Sequence, residues 1–210
     1  VTKNVLLNHL LGRTPYGMYI LIKDRASVAV IDFDDHDRNG PVEFIQQAKH
    51  YNISAYLEVS KSKGWHVWIF CEKAGVSAIK LRTIACQILE DISCPSIEVF
   101  PKQNCIMNEK YEYGNFINCP LFGKLVPQGR TIFVDPDNSF LPYDQWSFLK
   151  SVKLLTEKEL DDLIEINDWT LINTHKKKTS QNISNITKTK YKFHTLRPCA
   201  QEMLKGVSEN

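Results

Sequence analysis

No two of the six cysteines, at positions 71, 86, 94, 105, 119 and 199, stand in a CxxC spacing. That removes the commonest signature of a zinc knuckle or a dithiol redox pair. Cysteines inside apolar runs such as VWIFC and RTIACQIL read instead as reduced core residues of a cytoplasmic protein. No apolar run approaches the roughly twenty residues of a membrane-spanning helix, and no signal peptide is visible, so no membrane partner is expected. Charge of one sign is also scarce. Lysine and arginine number 26 against 24 acids, a net charge of +2 that does not by itself argue for nucleic acid. Internal repeats are absent. What remains is ordinary globular material, 43% hydrophobic and 10% aromatic over 210 residues, enough for one core plus an appendage. The chain opens at Val1 rather than methionine and closes on GVSEN, and it is expected to be a domain excised from a longer protein.

Charge is distributed unevenly. Residues 173–192 carry lysines at 176, 177, 178, 188, 190 and 192 and no acid, in a polar stretch that reads as a linker or mobile arm. Before it, short elements alternate. NVLLNHLL reads as a helix closed by Gly12. GMYILIK (17–23) and SVAVIDFD (27–34) read as two strands of a hairpin. A helix is expected after Asn39-Gly40-Pro41, through about Tyr51, with Val42, Ile45 and Ala48/Lys49 on its inner face. AYLEVS (55–60) and WHVWIF (65–70) read as strands joined by KSKG. Residues 76–92 form the longest helix, with Ile79, Ala85, Ile88 and Leu89 facing in. SIEVF, NFINCPL and RTIFVD are further strands, and helices are expected near 143–151 and 156–167, the second opened by a Thr156–Glu159 capping box.

The strand VAVIDF runs into Asp32, Asp34, Asp35 and Asp37. Side chains alternate along a strand, so Asp32 and Asp34 share a face and repel each other unless something positive lies between them. Glu98 lies inside the apolar strand SIEVF. If the strands are neighbours, three hard oxygen donors converge, a set suited to Mg²⁺ or Mn²⁺. Ser60, Lys61, Ser62, Lys63, Gly64 and His66 then supply lysines, hydroxyls, an unobstructed backbone and an imidazole of the kind that binds phosphate. Singly, each has a plainer reading: a turn cap, a solvated hairpin turn, a packed histidine, or a glutamate alternating out to solvent. In combination they point to phosphoryl transfer.

IDFD, SKSKGWHVWIF, IEVFPKQ and GNFINCPLFGK, in this order, resemble the catalytic core of the archaeo-eukaryotic primase superfamily. The chain resembles most the primase-polymerase branch, in particular the CRISPR-associated primase-polymerases. The resemblance spans roughly residues 5–135. It implies an α+β fold with an antiparallel or mixed, RRM-like β-sheet flanked by helices. It also implies a DNA primase-polymerase that starts and extends primers by template-dependent nucleotidyl transfer with two Mn²⁺ or Mg²⁺ ions. By the same resemblance Asp32, Asp34 and Glu98 are the catalytic metal ligands, the third being often Asp in relatives. Ser60, Ser62 and His66 match the triphosphate motif, flanked by Lys61 and Lys63, and Lys102 matches a phosphate contact. Asn118 and Lys124 fall in a further motif, and Tyr19 matches an aromatic set against the incoming sugar. Implied partners are a single-stranded DNA template, a primer strand, nucleoside triphosphates and CRISPR adaptation proteins, with Lys153, Lys158 and the arm as candidate template contacts. The expected organisation is a catalytic domain over 1–170, a basic linker over 171–192, and from 193 to 210 the start of a helical region in which Cys199 belongs to a metal or cluster site. Two other readings share the carboxylates: a metal-dependent nuclease, and a non-catalytic single-strand-binding module. The triphosphate-like turn argues against the first and the complete carboxylate set against the second.

Overall fold

The computed structural model describes residues 1–107 and 113–172; the arm from 173 onward, the helix expected after 193 and Cys199 lie outside the described residues. In chain order the elements are α1 (Lys3–Leu10), β1 (Gly17–Tyr19), β2 (Leu21–Ile22), β3 (Arg25–Ala26), β4 (Val28–Phe33), α2 (Asn39–His50), β5 (Tyr56–Val59), β6 (Trp65–Phe70), β7 (Val76–Ser77), α3 (Ala78–Asp91), β8 (Glu98–Phe100), β9 (Phe116–Asn118), a 3₁₀ turn at Val126–Gln128, β10 (Ile132–Asp135), β11 (Leu141–Pro142), α4 (Gln145–Ser151) and α5 (Glu157–Ile166). The fold is α+β, as expected.

Six strands form the main sheet in the order β11-β10-β5-β6-β4-β8, and every neighbouring pair is antiparallel. Alternation sorts its side chains cleanly. Ile31, Leu57, Val67, Ile69 and Val99 point to one face and join the core formed with Phe44, Ala48, Leu81, Ile84 and Ile88 of α2 and α3. Val28, Val30, Trp68, Phe100 and Phe133 point to the other, where Ile20, Ile117 and Phe148 cover them. Fully burying an aliphatic or aromatic side chain contributes roughly 1.5–3 kcal/mol. Both faces of β4 and β6 are apolar over most of their length, so polar residues in those strands stand out.

The expected hairpin of residues 17–23 with 27–34 does not form. β1 pairs with β9, Tyr19 opposite Phe116, and only β2 folds back on β3. The reason is edge availability: β4 is flanked by β6 and β8, which leaves no edge for β1. In α2 Pro41, Phe44 and Ala48 are the buried residues, Phe44 inserting edge-on against Phe33; the expected Ala48 and Ile45 do pack on the core, and Ile45 and Val42 are half-buried. In α3, Ala85, Ile88 and Leu89 are buried as expected, but Leu81 and Ile84 carry the inner face ahead of the half-buried Ile79. The capping box at Thr156 and Glu159 is present.

Candidate active site

A row of ionisable residues crosses the second face of the sheet. Glu58 on β5 stands opposite His66 on β6, His66 opposite Asp32 on β4, and Asp32 opposite Glu98 on β8. Directly opposed residues place their Cβ atoms about 4.5–5.5 Å apart, so the row is a chain of neighbours. His66 Nδ1 lies 2.9 Å from Glu58 Oε2 and its Nε2 lies 3.5 Å from Asp32 Oδ1. Trp68, two residues along the same face of β6, donates its indole N–H to the same Glu58 oxygen at 2.6 Å. Glu58 is only 1% exposed.

Electrostatics follows the geometry. Burial lifts the Asp32 carboxyl above its ordinary value; His66 opposes the shift, Asp34 and Glu98 add to it, and Lys102 opposes it. For His66, burial alone would lower the imidazole pKa. The hydrogen bond and charge of Glu58, with the charges of Asp32 and Asp34, outweigh it and raise the ring above its usual range. Each group therefore holds its proton more tightly than it would in water, the mark of a site rich in negative charge.

The four aspartates divide by task. Asp35 accepts the Asp37 N–H at 2.9 Å and Asp37 accepts the Asn39 N–H at 3.2 Å, so these two shape the turn into α2. Asp34 is exposed just past the end of β4 and makes no such bond. The β5–β6 turn lies against this end of β4. Gly64, at φ +82°, sits so close that a Cβ there would fall 2.0 Å from the Phe33 carbonyl oxygen. Only glycine permits that approach in that conformation. Ser60 Oγ donates to the Lys63 carbonyl at 2.5 Å, and Arg130 donates to the carbonyls of Lys61 and Ser62. The side chains of Lys61, Ser62 and Lys63 remain exposed.

On the far side of the row, Lys102 Nζ lies 2.6 Å from Glu98 Oε2 and 4.8 Å from the centre of the Phe100 ring. Its backbone N–H donates to Asn115, and buried Arg82 of α3 donates to the carbonyl of Pro101, which ties this segment down. Tyr19 is 51% exposed, with its ring against Tyr113 and Phe116. Since β1 pairs with β9, Tyr19 does not reach β4 through the hairpin expected from sequence. Asn118 pairs with Gly17 at the end of β9, and Lys124 lies in the loop against Gly12. Among the described residues neither bonds to the carboxylate row. Lys158 is ion-paired with Asp162.

Asp32, Asp34 and Glu98 offer the hard oxygen donors that Mg²⁺ or Mn²⁺ prefers, and their mutual repulsion calls for a cation. The Lys102 ammonium on Glu98 supplies one positive charge at this place. The donor chemistry therefore fits, although among the described residues no three His, Cys, Asp or Glu side chains are gathered closely enough to enclose an ion. Glu58 and Arg130 were missed in the sequence. The signal for Glu58 was available: a carboxylate inside the apolar strand YLEV, in phase with His66 once the hairpin is drawn. Arg130 acts on backbone carbonyls 68 and 69 residues away and left no local signal.

The model of the family described as the archaeo-eukaryotic primase domain of TOTE conflict systems matches residues 1–163. The solved polymerase domain of Mycobacterium tuberculosis ligase D, in complex with DNA, is similar at 15% identity with a TM-score of 0.28. That alignment covers 68% of this chain and 53% of the ligase D chain, so this chain spans about half of that protein's length. No curated protein matches. The expected nearness to the CRISPR-associated branch, with its adaptation partners, rests on motif resemblance alone. No helix among the described residues is long and apolar enough to cross a membrane.

Proposed function

This chain belongs to the archaeo-eukaryotic primase domain family of TOTE conflict systems, and from that membership we propose that it is a DNA primase-polymerase, joining nucleotides and extending the product opposite a single-stranded template. One observation carries the reading. Asp32 is opposed by His66 on one side and by Glu98 on the other, and the lysine-bearing turn lies on the backbone at the same end of β4. A carboxylate pair suited to metal and a basic, glycine-pinned turn suited to phosphate, both at this end of β4, support the reading. Asp32, Asp34 and Glu98 would hold divalent Mn²⁺ or Mg²⁺. Such ions, when bound, supply positive charge to the attacking and leaving oxygens of phosphoryl transfer.

The chain's own groups then bind and orient. Lys61, Lys63 and Lys102 offer ammonium groups, and Ser62 a hydroxyl, to the triphosphate. Ser60 and Arg130 hold the turn that presents them. His66 offers Nε2 beside Asp32. Tyr19, with its ring against Tyr113 and Phe116, is the candidate aromatic contact for the nucleotide, and Asn118 on β9 and Lys124 in the loop against Gly12 are the remaining nucleotide-binding candidates. Incubation of the protein with single-stranded DNA, nucleoside triphosphates and Mn²⁺, resolved on a sequencing gel, tests the reading. New strands that disappear in Asp32→Ala support it. A shortened template would indicate a nuclease, and an unchanged template without product would indicate a binding module.

A further inference from the structure

We propose that Glu58 is a positioning residue of this site, fixing the His66 ring so that Nε2 is aimed along the face that carries Asp32. The inference deepens the nucleotidyltransferase reading and, in its consequence for nucleotide affinity, rests on it. A carboxylate can only accept, so the 2.9 Å contact assigns a proton to His66 Nδ1 and points that nitrogen away from the carboxylate pair. Nε2 is the nitrogen left facing Asp32, at 3.5 Å. The backbone of β5, paired with β6 on one side and β10 on the other, holds Glu58 in place, and Trp68 donates to the same Glu58 oxygen at 2.6 Å as a second donor. Glu58 orients His66.

A purely structural account explains less. Burying a carboxylate is costly, and an indole N–H needs only a neutral acceptor. If Trp68 were the reason for Glu58, an amide or hydroxyl on β5 would satisfy it. Glu58 Oε2 meets two ring nitrogens, the indole of Trp68 at 2.6 Å and the imidazole of His66 at 2.9 Å, so His66 belongs to the same hydrogen-bonded unit. Outer partners that fix the orientation of a histidine in this way typically change affinity or activity by about 10- to 100-fold when removed.

The test uses the full chain with ¹⁵N-labelled histidine. Glu58→Met keeps the volume and deletes the acceptor; Glu58→Gln keeps a neutral acceptor; Trp68→Phe deletes the second donor and leaves the Glu58–His66 bond intact. The His66 ring-nitrogen signals in wild type should show a hydrogen-bonded Nδ1–H. Glu58→Met should lose that signal, and its affinity for nucleoside triphosphate with Mn²⁺ should fall about 10- to 100-fold, with thermal midpoints recorded alongside. Glu58→Gln should restore most of the signal and affinity, and Trp68→Phe should keep both within a few-fold. Unchanged ring signals in Glu58→Met overturn the proposal. So does a Trp68→Phe loss of affinity equal to that of Glu58→Met, since the site would then be answering to core packing. Should wild type bind no nucleotide, the nucleotidyltransferase reading falls, while the ring signals still decide whether Glu58 sets His66.

Discussion

Asp32, when ionised, opposes folding. Its carboxyl pKa is raised, first by burial, so the folded chain binds that proton more tightly than the unfolded chain does. Stability is therefore lost as pH rises from the ordinary aspartate range through the raised value, and at neutral pH the ionised group is a net cost. Asp32→Asn should melt at the same temperature as wild type or higher in EDTA. Mn²⁺ should raise the melting point of wild type and leave that of the variant in place, and the variant should make no product. Wild-type synthesis by Asp32→Asn would remove the carboxylate row from the mechanism. Lys63 is an exposed ammonium on the turn. Lys63→Ala should weaken nucleoside triphosphate affinity by about tenfold, the value of roughly one charge-assisted bond, without moving the melting point. Tyr19 is half exposed against Phe116 and Tyr113, so Tyr19→Ala should fold normally. If its ring crowds a 2′-hydroxyl, the ratio of ribonucleotide to deoxynucleotide kcat/KM should rise about tenfold or more; parallel loss of both would make it a general stacking contact.

Among the elements, the β5–β6 turn is the one on which the site depends most. At Gly64 an alanine would meet both a positive φ and the Phe33 carbonyl. Gly64→Ala should lower stability by more than about 1 kcal/mol and shift the lysines away from β4, so nucleotide affinity should fall with it. A variant as stable and as tight-binding as wild type would show that the turn does not need that contact. This hairpin was largely legible in the sequence, because YLEV and WHVWIF alternate and KSKG is a turn. Asp32 and Glu98, expected to converge if their strands were neighbours, do stand opposite each other on β4 and β8. Pairing over distance was not legible. Nothing in GMYILIK says that its partner is Phe116–Asn118, nearly a hundred residues on, since strand propensity carries no address. On α2 the spacing found Ile45 and Ala48, which pack on the core, but not Phe44, because only the shape of the space beside Phe33 selects the phenylalanine. Glu58 escaped because alternation alone cannot say whether the second face of a sheet is open to water or covered.

At the scale of the whole described molecule, Glu157 joins segments distant in sequence. It accepts the Ser77 N–H at 2.7 Å and pairs with Lys80 at 2.8 Å and with Arg25 at 3.0 Å, so α5 is fastened to β3, β7 and the start of α3. Burial alone would raise its carboxyl pKa, but Lys80, the Ser77 amide and Arg25 outweigh that and lower it. A depressed carboxyl stabilises the fold above its unfolded value, and that contribution is lost as pH falls through the folded one. Glu157→Gln should therefore melt lower than wild type at pH 7, and the two curves should converge below about pH 4.3. A constant difference across that range would assign the effect to packing instead. The strand order has one further consequence, for synthesis on the ribosome. β4 is an interior strand, yet both its neighbours, β6 and β8, are translated after it. At roughly 5–20 residues per second the 37 residues from the end of β4 to the end of β6 take about two to seven seconds to appear. During that interval the nascent chain carries VAVIDF with both edges unpaired, an adhesive stretch that contains Asp32 and is followed by three more aspartates, Asp34, Asp35 and Asp37. Those charges repel the same stretch on a neighbouring nascent chain, so the residues that make the finished site costly also guard the unfinished strand against aggregation.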